Sequence, residues 1–181
     1  MKIDPIQAID FYKSDHRRQY PEGTEIVYSN FTPRSGRLAN KAQNAADKGA
    51  VVFGLQGFIK WFLIDCFNDN FFNKPKAEIL KKYENRMKNS LVLSEFDTSH
   101  IEALHDLGYL PIRIDALPEG SFVPYGVPMF TMVNTLPEFY WLTNYLESVI
   151  SSEVWKSCTT ATTALQYRLI LQEYAVKTGS P

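Results

Sequence analysis

Apolar positions along the chain change their period several times, and each period predicts an element. Thr24-Glu25-Ile26-Val27-Tyr28-Ser29-Asn30-Phe31 gathers β-branched and aromatic residues after the turn signal Pro21-Glu22-Gly23, and predicts a strand. From Ala50 onward, Val51, Leu55, Phe58, Ile59, Phe62, Leu63 and Cys66 recur at three- and four-residue spacing, one face of an amphipathic helix. Pro75 opens a second helix carrying Ile79, Leu80, Tyr83 and Met87. Leu110, Ile112 and Ile114 alternate with Pro111, Arg113 and Asp115, the period of a half-buried strand. Met129-Phe130-Thr131-Met132-Val133 predicts a further short strand.

Polar residues and turn formers mark the boundaries. Pro33-Arg34-Ser35-Gly36-Arg37 ends the first strand, and the small, polar stretch from Leu38 to Gly49 reads as a loop or a weak helix. Ser99-His100-Ile101-Glu102 has the pattern of a capping box, so a short helix is expected over His100 to Leu107, with Gly108 as its stop. Pro124, Gly126 and Pro128 predict a bend within Ser121 to Pro128. Thr135-Leu136-Pro137-Glu138 is a second capping box, and its helix is expected to run to about Ile150. A last helix is expected over Glu153 to Val176, with Cys158, Ala161, Leu165 and Leu169 on one stripe. Strands and helices are mixed without regular βαβ alternation, which favours an α+β fold over a doubly wound sheet. Length suggests a single domain over residues 1–181.

Composition narrows the class without naming a function. Hydrophobic residues make up 45% and charged residues 22%, a balance that fits a globular chain and no disordered one. A formal net charge of −1 offers no broad attraction to nucleic acid or an acidic membrane surface. No apolar run is long enough to cross a bilayer, and Met1-Lys2-Ile3-Asp4-Pro5 has no signal-like hydrophobic region. With only Cys66 and Cys158, the chain is no disulfide-rich scaffold, and a cytoplasmic setting is expected. Both cysteines fall on apolar helix faces and read as small core residues.

The standard phosphate-loop, dinucleotide, zinc-protease and serine-hydrolase motifs are missing from the sequence. His16, His100 and His105, with Asp15 or Asp106, do not fall at a spacing that assembles three metal ligands; solvated or capping roles are expected for them, and no metal site. Two local features stand out. Asp10-Phe11-Tyr12-Lys13, followed by Asp15-His16-Arg17-Arg18, places carboxylates, a ring and cations together. Arg34-Ser35-Gly36-Arg37 sets two forked cations around a small pair, a geometry suited to phosphate. From spacing alone, each also reads as a solvated surface segment.

A resemblance weights these features. Asp10-Phe11-Tyr12-Lys13, Gln19-Tyr20-Pro21 and Tyr28-Ser29 resemble the opening of the nicotinamide phosphoribosyltransferase family. The likeness continues in family order through Phe53-Gly54-Leu55-Gln56, Leu110-Pro111-Ile112, Pro118-Glu119-Gly120 and Tyr125-Gly126. It extends through Asn134-Thr135, Tyr140-Trp141-Leu142-Thr143-Asn144, Ala161-Thr162 and Lys177-Thr178-Gly179.

The resemblance implies the amino-terminal α+β region of a type II phosphoribosyltransferase, with the catalytic α/β barrel expected after residue 181. It implies synthesis of nicotinamide mononucleotide from nicotinamide and phosphoribosyl pyrophosphate, with Mg²⁺ and ATP serving the intact enzyme and neither expected on this chain alone. It further implies a homodimer, or a separate barrel-bearing chain, with no nucleic-acid or membrane partner. Tyr12 corresponds to a tyrosine that stacks on the nicotinamide ring across the subunit interface, and Asp10 to an aspartate beside it. Arg34 corresponds to an arginine at the substrate phosphate, with Arg37 as a second-tier phosphate contact. No catalytic residue is expected in residues 1–181, and no turnover by them alone. The alternative is a non-catalytic binding or oligomerisation module derived from the same family.

Overall fold

The computed structural model describes residues 3–36 and 48–180. In chain order the strands are β1 (Tyr28–Phe31), β2 (Gly49–Val51), β3 (Ile112–Ala116), β4 (Phe122–Pro124) and β5 (Phe130–Asn134). The helices are α1 (Lys13–His16), α2 (Leu55–Phe58), α3 (Lys76–Leu91), α4 (Ser99–Leu107) and α5 (Leu142–Thr178). β5 is the central strand of a three-stranded antiparallel sheet. β1 pairs with it on one side, Phe31 opposite Phe130, and β3 on the other, Ile112 opposite Asn134. β2 and β4 form a separate antiparallel pair, Ala50 opposite Val123. Antiparallel strands mixed with packed helices give the expected α+β class.

Alternation along β5 explains how the sheet meets the core. Phe130, Met132 and Asn134 are buried, while Thr131 and Val133 are half-buried on the other face. The buried face packs toward α5, whose Leu142, Tyr145, Leu146, Ile150, Val154 and Cys158 are buried in turn. Beyond Thr162, α5 carries no buried residue, and Tyr167, Leu171, Tyr174 and Val176 stand exposed. Cys66 and Cys158 are free, buried thiols, and burial pushes the Cys158 pKa up.

Several elements differ from the sequence expectation. The helix expected from Ala50 starts at Leu55, because Gly49–Val51 pairs with β4 instead. Gly49 permits that pairing, since a Cβ there would run into the Val123 carbonyl. Gly54, at φ 88°, then turns the chain into the helix. The stretch Ser121 to Pro128 holds β4 first and then the expected bend, a turn in which Val127 N donates to the Pro124 carbonyl at 3.2 Å. After α2 the helix widens into π-turns over Ile59–Cys66 and Asn68–Phe72. Its rings Phe58, Phe62, Phe67 and Phe71 sit four and five residues apart, so the wider turn keeps them in one buried row.

Only Tyr28–Phe31 of the expected first strand is paired. Upstream, the Asn134 side chain replaces a strand partner: its Oδ1 accepts from Val27 N, and its Nδ2 donates to the Glu25 and Leu136 carbonyls. Neither capping box closes. The Ser99 amide donates to Asp97 Oδ1 at 2.9 Å, and Pro137–Phe139 forms one 3-10 turn. The two helices expected after Thr135 are one, of 37 residues. Ser151 and Ser152 do not break it, because their hydroxyls turn back onto the Ser148 and Val149 carbonyls. Of the loop or weak helix expected over 38–49, residues 38–47 lie outside the described residues.

Candidate functional site

The site is assembled where the short α1 segment meets one face of α5. Lys13 N donates to the Asp10 carbonyl at 2.9 Å, and Ser14 Oγ to the Phe11 carbonyl at 2.7 Å, curling the segment into a turn. Phe11 packs against the core and turns its neighbours outward. On α5, Asn144, Glu147 and Ser148 fall at three- and four-residue spacing, so they share one face.

Four residue pairs lock the two together. Ser148 Oγ donates to Asp10 Oδ2 at 2.6 Å and accepts from Asp10 N at 3.3 Å. The Lys13 ammonium donates to Asn144 Oδ1 at 2.6 Å and pairs with the Glu147 carboxylate. With its oxygen taken by that cation, Asn144 turns its amide to His16 Nδ1 at 2.9 Å, which accepts. Lys13 is only 5% exposed, whereas Tyr12 beside it is 56% exposed. The Tyr12 ring rests against His16, centroids 4.9 Å apart and planes tilted by 57°. Lys13 Nζ lies over the same ring, 5.5 Å from its centroid.

A second set of contacts extends the cluster. Tyr140 Oη donates to the Arg17 carbonyl at 3.3 Å, and the Tyr20 ring meets Tyr140 edge-on. Two sequence anchors more than a hundred residues apart, Asp10 to Pro21 and Tyr140 to Asn144, are therefore one surface. Arg18 pairs with Asp15 and holds that carboxyl below the ordinary range. Arg17 donates to Asp97 at 2.6 Å; the Ser99 hydroxyl and amide, with this guanidinium, lower the Asp97 pKa to about 2.

Arg34 lies apart from this cluster. It is exposed on the loop after β1, where the Pro33 carbonyl accepts from Gly126 N at 2.8 Å and Gly36 packs on the Tyr125 ring. Asp10 and Tyr12 thus share one cluster, while the loop that carries Arg34 packs against Tyr125 and Gly126. Arg37 lies outside the described residues.

The histidines take three different places. His16 belongs to the cluster, and His105 Nε2 faces the Lys74 carbonyl at 3.0 Å. His100 is buried, not solvated or capping, with neither ring nitrogen hydrogen-bonded among the described residues. Among the described residues, no three His, Cys, Asp or Glu side chains gather as metal ligands. No described helix is long and apolar enough to cross a membrane.

Lys13, His16, Asn144, Glu147 and Ser148 were not among the expected site residues. Their signal was the polar spacing of Asn144, Glu147 and Ser148 on a helix with an apolar opposite face. Pairing between segments 128 to 138 residues apart left no trace in local pattern.

The chain has relatives among known proteins in both sequence and fold. A family model described as nicotinamide phosphoribosyltransferase, N-terminal domain, matches residues 5–114. A nicotinamide phosphoribosyltransferase of Acinetobacter baylyi is 60% identical over 179 residues, covering 99% of this chain and 35% of that protein. One from Mycoplasma pneumoniae is 25% identical over 179 residues, covering 96% of this chain and 40% of that protein. The crystal structure of human nicotinic acid phosphoribosyltransferase shares the fold, with a TM-score of 0.62 and 20% identity, over 90% of this chain and 28% of that one. The chain spans between about a third and two fifths of the length of these curated relatives. With the family match covering more than half of its residues, this chain belongs to the nicotinamide phosphoribosyltransferase family.

Proposed function

We propose that residues 1–181 are the amino-terminal part of an enzyme that joins nicotinamide to phosphoribosyl pyrophosphate. In that reaction the pyridine nitrogen bonds to the ribose anomeric carbon as the bond to pyrophosphate breaks. Tyr12 contributes a stacking face for the nicotinamide ring and Asp10 orders the polar wall beside it. The observation that carries this reading is a tyrosine left more than half exposed while every group around it is fixed. An exposed phenol on a rigid base suits a flat heteroaromatic ring, which gains both burial and stacking. Tyr12 then completes a pocket whose remaining walls come from a barrel, in a homodimer or on a separate chain. Arg34, on its separate loop, serves the phosphate end. Mg²⁺ and ATP serve the intact enzyme in this reading, as the family resemblance implies.

Steady-state synthesis of nicotinamide mononucleotide by the full-length protein tests this. Tyr12→Ala is expected to raise the KM for nicotinamide at least tenfold, about 1.4 kcal/mol, with the KM for phosphoribosyl pyrophosphate little changed. Residues 1–181 alone are expected to give no turnover. An unchanged KM in Tyr12→Ala would remove Tyr12 from the pocket. A second reading, a non-catalytic oligomerisation module, draws on the exposed apolar residues of α5 beyond Thr162.

A further inference from the structure

Lys13 is the single buried lysine or arginine among the described residues. Removing an ammonium from water is costly unless it is paired and hydrogen-bonded, and even then an apolar side chain of similar size often serves stability as well. Its place therefore calls for a use beyond packing. The ammonium is anchored by Asn144 and Glu147, and from that anchor it lies over the Tyr12 ring at 5.5 Å. This is within cation–π range. Asn144 also holds His16, the other ring against Tyr12, so one α5 side chain sets both neighbours of the phenol.

The position of the charge has a chemical consequence. A cation against one face of an aromatic ring draws on its quadrupole and repels a second cation approaching the other face. A neutral ring stacked there meets no such repulsion. We propose that Lys13 is a positioning residue that fixes Tyr12 and biases its open face toward a neutral pyridine over a pyridinium. The inference rests on the reading that Tyr12 stacks on nicotinamide. Forming the bond to ribose converts that ring from neutral to cationic. Lys13 would thus favour substrate entry and product departure at the same face.

The test uses the full-length enzyme and the ratio of the nicotinamide mononucleotide inhibition constant to the nicotinamide KM. Lys13→Met is expected to lower that ratio about three- to tenfold, with the KM for phosphoribosyl pyrophosphate unchanged. Lys13→Arg, which keeps the charge, is expected to restore it. In a Tyr12→Leu background, Lys13→Met should leave the ratio where Tyr12→Leu put it. A merely structural lysine would instead move all three constants together, and that pattern overturns the proposal, as does an unmoved ratio. Should Lys13→Met fail to fold, Glu147→Gln carries the test. It leaves the ammonium less neutralised, so the ratio should rise, and no rise overturns the proposal. Wild-type enzyme without mononucleotide synthesis would sink the functional reading itself and this inference with it. Wild-type activity with an unmoved ratio would sink this inference alone.

Discussion

His100 enters the core at the first turn of α4, its ring edge-on to Trp141 at 5.1 Å and to Tyr83 at 6.0 Å. It lines a cavity of about 70 Å³ shared with Ser14, Arg17, Arg18, Glu95 and Asp97. Burial, and then the Arg17 charge, lower its pKa to about 3; Asp97 opposes the shift more weakly. An unfolded chain takes up this proton near pH 6.5, whereas the folded one resists it down to about 3. The stability is therefore intact above about pH 6.5 and falls with decreasing pH, at about 1.4 kcal/mol per unit. Asp97, held at about 2, contributes stability above its ordinary value near 3.8 and loses it only as pH falls toward 2, so it is silent above pH 5. His100→Phe removes the histidine term while keeping the ring contacts. Urea unfolding at pH 7 and pH 5 is expected to show the wild type losing about 2 kcal/mol more than the variant over that interval. Equal losses in both would mean that the ring is hydrated or protonated in the fold.

At the scale of elements, the junction before β1 depends on one side chain. Asn134 ends β5 and satisfies Val27 N, Glu25 O and Leu136 O, which would otherwise lack partners where β1 has not yet begun pairing. Asn134→Ala strands those groups in a partly buried place and is expected to cost about 2–3 kcal/mol, read as a drop in the urea midpoint. Asn134→Asp can accept from Val27 but cannot donate to the two carbonyls, so it should recover only part of the loss. The same junction shows what the sequence made legible. Alternation placed β3 and β5 well, and the four-residue spacing of Ile79, Tyr83 and Met87 placed α3, because the apolar side chains of each pack on the core. It failed where a side chain or a distant strand replaced a local rule. Asn134 shortened β1, β4 drew Ala50 and Val51 out of the expected helix, and the π-turns shifted the period of the phenylalanine row. For the candidate site, the resemblance pointed to Tyr12 and Asp10. Lys13 was not legible, because its burial arises from Asn144 and Glu147, which the fold brings from the far side of the chain.

For the whole molecule, the distribution of apolar surface carries the remaining consequence. The first half of α5 is sealed by the sheet and by β2, where Thr162 Oγ1 still accepts from Val51 N at 2.8 Å. Past that point Tyr167, Leu171, Tyr174 and Val176 meet no described neighbour that buries them. Elsewhere, Ile59, Leu63, Ile64, Phe72, Ile112 and Ile114 line an open groove of about 370 Å³ beside β3, an outer strand of the sheet. Contiguous apolar surface of this kind draws association in water. Residues 1–181 expressed alone are expected to associate as concentration rises, read by sedimentation velocity. Leu171→Glu with Tyr174→Lys should restore the monomer if α5 is the contact, and Ile64→Glu if the groove is. Neither variant touches the Tyr12 cluster, so the hydrogen bond from Lys13 to Asn144 should survive in both. A chain that stays monomeric at every concentration tested would leave the oligomerisation reading without its one supporting observation. Association abolished by the α5 changes alone would place the contact on the helix that also holds Lys13, His16 and Asp10 in register beneath Tyr12.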